Sequence, residues 1–114
     1  GPLLRTSTSI ARILARQENV YALGSSAVLQ AGIANLLGAT DEVLEQLQMA
    51  EQYFRVAKMA LHVACVRRRL GVLIGGERGK KMVSEADSNL VRAGVQNPEK
   101  WILIYTPGLA PRQT

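Results

Sequence analysis

The chain has one cysteine and one histidine in 114 residues. The single cysteine, Cys65, excludes an internal disulfide framework and any zinc site built from cysteines. The single histidine, His62, removes most triads, dyads and histidine metal sites at once. Aromatics are also scarce: Tyr21, Tyr53, Phe54, Trp101 and Tyr105 complete the set. Apolar runs are only a few residues long, far short of the roughly 20 that a membrane-spanning helix needs. No tract is low in complexity, no segment repeats, and no linker is long enough to divide domains. What remains, 47% hydrophobic and 20% charged, is the composition of one globular domain around one core.

Gly1-Pro2 reads as the scar of a cleaved expression tag, which leaves 3–114 as a single helical domain. Residues 3–17 are amphipathic, arginine-bearing, rich in Ser and Thr and free of acids. A mitochondrial transit peptide has that composition too, but the segment is read here as the first helix. No secretory signal is visible and a lone cysteine does not point to an oxidising compartment. The expected location is intracellular, in the cytoplasm with the mitochondrion as the alternative.

The expected fold class is all-α, a small bundle of three to four helices with a short C-terminal extended segment. Ile10, Ile13 and Leu14 recur at helical spacing in a first segment from about Leu4 to Gln17. A second runs from about Val20 to Leu37, with Leu23, Val28, Leu29, Ile33, Leu36 and Leu37 as its large apolar set. Its glycines and alanines allow another backbone to approach, and Gly38 is its expected cap. A third helix is expected from Thr40, capping through its hydroxyl, to about Leu70, with Asp41, Glu42 and Glu45 favoured by the positive end of its dipole. It carries two apolar stripes. One is Val43, Leu47, Ala50, Phe54, Ala57, Leu61 and Ala64. The other, roughly opposite, is Val56, Met59, Val63, Val66 and Leu70.

A helix apolar nearly all round must be buried, in mid-bundle or under a second protomer. The second stripe is therefore the candidate interface of a homodimer or a protein partner. Gly71 to Lys81 reads as a helix end and a loop, with Val72 to Ile74 as a short strand. A fourth helix follows from about Lys81 to Ala93, capped by Gly94. Trp101 to Thr106 reads as a strand or an extended tail laid on the core.

Charge supplies the second candidate surface. The 14 basic and 9 acidic residues give a net +5, but unevenly. Residues 39–54 hold Asp41, Glu42, Glu45 and Glu51 with no base, while residues 55–81 hold eight bases against Glu77. Arg67, Arg68, Arg69, Arg78, Lys80 and Lys81 flank a glycine-rich break, a pattern suited to phosphate groups and hence to a nucleic-acid backbone. No aromatic lies among them, which argues against base stacking. Gly79-Lys80 is followed by Lys81 rather than Ser or Thr, so the phosphate loop of nucleotidases is not matched.

His62 and Cys65 are neighbours on one helix, but no further ligand or orienting group accompanies them, so a packed core pair is expected. Glu51 is expected to pair with Arg55 four residues on. No catalytic residue, cofactor or metal site is expected. The functional expectation is a non-enzymatic module that self-associates or docks a partner through apolar helix faces. The alternatives are nucleic-acid binding through Arg67–Lys81 and a helical domain of a larger enzyme.

Overall fold

The computed structural model describes residues 2–95, with side chains from Ser9 onward. The expected tail from Trp101 to Thr106 lies outside the described residues. Four helices and no strand make up the described chain: α1 (Pro2–Leu36), α2 (Thr40–Val56), α3 (Ala60–Ile74) and α4 (Gly76–Arg92). The all-α bundle read from the periodicity is the observed fold. No proline lies between Pro2 and Pro98, so nothing in that stretch removes a backbone donor from a helix.

The boundaries differ from the sequence expectation in three places. The first two segments are one helix of 35 residues, about 52 Å long at 1.5 Å per residue. Glu18 and Asn19, where the break was expected, are compatible with helix and continue it. The expected third helix is instead two, broken at Ala57-Lys58-Met59. There Lys58 takes φ +58, its N–H donates to the Arg55 carbonyl, and the Met59 N–H donates to that of Phe54. Those two hydrogen bonds form a Schellman cap, normally built on glycine. The third difference is the glycine-rich stretch. Val72 to Ile74 are helical, and α3 meets α4 at a corner where Gly75 and Gly76 have φ of +67 and +63.

Gly38 and Gly94 cap α1 and α4 as expected, each in the same Schellman arrangement. Thr40 is the first residue of α2 rather than its cap, and no side chain caps that helix.

Among the described residues the main helix contacts are between sequence neighbours, α1 on α2, α2 on α3 and α3 on α4, with Tyr21 of α1 also reaching His62 of α3. The α1–α2 contact is made by small residues. Ala27, Ala31 and Ala34 of α1 are buried against Val43, Leu47, Ala50 and Phe54 of α2. A methyl group on Gly24 would stand 2.6 Å from the Phe54 ring, so glycine there lets α1 pass over it. α3 lies between α2 and α4, and Val66 and Leu70 join the first core from its one side. On the other side Ala64 and Cys65 pack with Ala86 and Leu90. The α3–α4 crossing is closest at Gly71 and Gly79, whose backbones touch where any Cβ would collide.

Candidate functional site

The six cations do not assemble into one surface. Arg67 donates through Nη1 to Glu51 of α2 at 3.0 Å, and Arg68 donates through Nε to Asp87 of α4 at 2.7 Å. Arg69 is buried at 5% exposure, close enough to Cys65 to act on its thiol. These three sit in the body of α3, not at a helix end, and two of them tie it to the helices on either side. Arg78, Lys80 and Lys81 remain exposed on the first turns of α4, with Lys80 3.9 Å from Glu77. The expected pairing of Glu51 with Arg55 is present at 3.3 Å, and Glu51 thereby bridges two guanidinium groups.

The second apolar stripe divides as well. Val66 and Leu70 are buried within the chain, Met59 and Val63 are half-buried against the same core, and Val56 is exposed. Of the two expected covers, mid-bundle burial and a second protomer, the chain itself supplies the first for Val66 and Leu70. The break at Lys58 turns α3 relative to α2, so the chain buries Val66 and Leu70 and leaves Val56 exposed.

His62 and Cys65 are packing residues, as their surroundings suggested. The His62 imidazole meets the Tyr21 ring edge-on at 5.5 Å between centroids and the Phe54 ring at 5.0 Å. Its burial lowers the pKa below the ordinary 6.5, so the ring is neutral at pH 7. Burial pushes the Cys65 thiol up to about 12, against a smaller pull from the Arg69 charge. A thiol held protonated at neutral pH is a poor nucleophile and a poor metal ligand.

The exposed apolar surface lies elsewhere, on α1. Of its large apolar residues from Ile10 onward only Val28 is buried; Leu29, Ile33 and Leu36 are 64%, 46% and 70% exposed. Ala22, Ser26, Leu29, Ile33 and Leu36 are spaced four, three, four and three residues apart. That spacing draws one straight row along the helix, opposite the face that packs on α2. The sequence names every residue of this row, but helical periodicity alone cannot separate it from the small residues that face the core. The usual assumption that the largest apolar residues face inward fails here, because close helix packing selects alanine and glycine.

A second feature escaped sequence reading because it depends on the unforeseen corner at Lys58. Arg55, Lys58 and Arg67 line a cleft of about 470 Å³ between that corner and α4.

Among the described residues no helix is long and apolar enough to cross a membrane, and no group of acidic, histidine or cysteine side chains could hold a metal ion. No protein family matches the chain, and no curated protein or solved structure is significantly similar to it.

Proposed function

We propose that this chain is a non-enzymatic helical assembly module that pairs with a second copy of itself through the outward face of α1. The observation that carries the reading is the exposed heptad-spaced row from Ala22 to Leu36. Three, four-residue alternation is the pattern by which one helix lays a seam on another. The row is small at its start and large at its end. An antiparallel copy therefore sets Ile33 against the partner's Ala22, Leu29 against the partner's Ser26, and Leu36 against the partner's Asn19. Large side chains facing small ones interdigitate.

The charges favour a second copy over an unrelated helix. In that register Arg12 and Arg16, both exposed, reach the level at which the partner's α2 begins with Asp41 and Glu42. Opposite charges then lie at the same level at both ends of a two-fold contact, on either side of the partner's α1, and attract at long range. The seam is a single helix face on each copy, so the pairing depends on concentration. Sedimentation velocity over a concentration series tests it. The parent chain should shift from monomer to dimer, and Leu29→Asp with Ile33→Asp should remain monomeric with unchanged helicity. A parent chain that is monomeric at millimolar concentration refutes it.

Nucleic-acid binding is the weaker reading, since Arg67 and Arg68 are engaged by Glu51 and Asp87 and Arg69 is buried.

A further inference from the structure

We infer that the cleft at the α2–α3 corner binds a small organic oxyanion, a carboxylate or phosphate head on a compact apolar body. Its volume of about 470 Å³ falls within the range of small-molecule sites, roughly 300–1,000 Å³. Three cations line it, Arg55, Lys58 and Arg67, and among the described residues no acid does.

Glu51 explains how the two guanidinium groups are held. Its carboxylate, with a side chain only 12% exposed, accepts from Arg55 Nε at 3.3 Å and from Arg67 Nη1 at 3.0 Å. A guanidinium carries five N–H donors. Glu51 orients both forks and takes only one donor from each. One carboxylate against two guanidinium groups also leaves positive charge over, and Lys58 adds to it with no ion pair among the described residues.

Position strengthens the field. Lys58 is fixed at its root by the Schellman hydrogen bonds of the corner. α3 starts at the same corner with no side-chain cap, so the positive end of its dipole faces the same region. Apolar walls from Met59, Val63 and Ala86 lower the local dielectric and give a ligand's body somewhere to lie. Planar forks beside a point charge suit carboxylate and phosphate oxygens alike. The site is separate from the outward face of α1, so it stands whether or not the chain pairs.

The test is titration of the isotope-labelled chain with phenyl phosphate, benzoate and, as a neutral control, benzyl alcohol, followed by amide shifts in nuclear magnetic resonance. Either anion should shift residues 58–64 and the Asn89 side chain saturably, and benzyl alcohol should not. Arg55→Gln with Lys58→Gln should weaken binding about tenfold or more, and Lys58→Gln alone should weaken it measurably. Arg78→Gln, Lys80→Gln and Lys81→Gln together should leave it unchanged. Absence of saturable shifts with both anions overturns the inference. Equal response to the alcohol, or equal loss in the α4 triple variant, overturns it too.

Discussion

Replacing Gly79 by alanine should destabilise the fold by about 2 kcal/mol, although alanine is the better helix former by about 1 kcal/mol. A Cβ on Gly79 would run into the carbonyl oxygen of Gly71, and one on Gly71 would stand 2.7 Å from the carbonyl oxygen of Gly79. The obstacle is backbone in both directions, so no side-chain rotation relieves it. α3 and α4 must move apart, which loosens Met82 and Val83 against α3 as well. Overpacking of this kind costs about 1–3 kcal/mol, and an unyielding backbone obstacle belongs at the upper end. Subtracting the propensity gain leaves about 2 kcal/mol, or a fall of about 8–16 °C in the melting temperature of a chain this size. Urea unfolding followed by circular dichroism measures it. Adding Gly71→Ala to Gly79→Ala should cost less than the sum of the two, because the crossing is already open. A Gly79→Ala chain as stable as the parent refutes the close crossing.

Three further outcomes are expected. Lys58→Gly should raise stability by about 1 kcal/mol in urea unfolding, because glycine adopts the positive φ of that corner without strain. His62 should make stability depend on pH. Its folded pKa lies below 6.5, so the unfolded chain binds the proton more readily, and stability is full above 6.5 and falls as pH drops below it. His62→Phe should remove that part of the dependence, read from urea midpoints on either side of 6.5. Cys65, with its thiol pushed up to about 12, should resist alkylation at neutral pH in the native chain and react once urea unfolds it.

Helix content and most of the core were legible from spacing. Val43, Leu47, Ala50 and Phe54 repeat at helical intervals and do form one buried face of α2. Gly38 and Gly94 announced two caps because glycine is the residue that takes positive φ without strain. The third cap was silent, because Lys58 occupies a position where sequence reading looks for glycine. Missing it joined α2 to α3, set the two apolar stripes on one helix and kept a second protomer open as a cover for Val66 and Leu70. It also separated Arg55 and Lys58 from Arg67, which only the corner brings to one cleft. The basic cluster was legible as composition but not as surface. Arg67, Arg68 and Arg69 are adjacent in sequence, and a helix sends three adjacent side chains in three directions, here to Glu51, to Asp87 and into the core.

The antiparallel pairing of α1 can be tested by reversing its charges in two separate chains. One carries Arg12→Glu and Arg16→Glu, the other Asp41→Lys and Glu42→Lys. Each should dimerise more weakly alone than the parent does, because both ends of its own two-fold contact then bring like charge to the same level. Mixed in equal amounts they should sediment as a heterodimer that dissociates as salt rises, since every reversed end meets its opposite. Two variants that each dimerise as well as the parent, or a mixture that stays monomeric while the parent dimerises, would contradict the pairing.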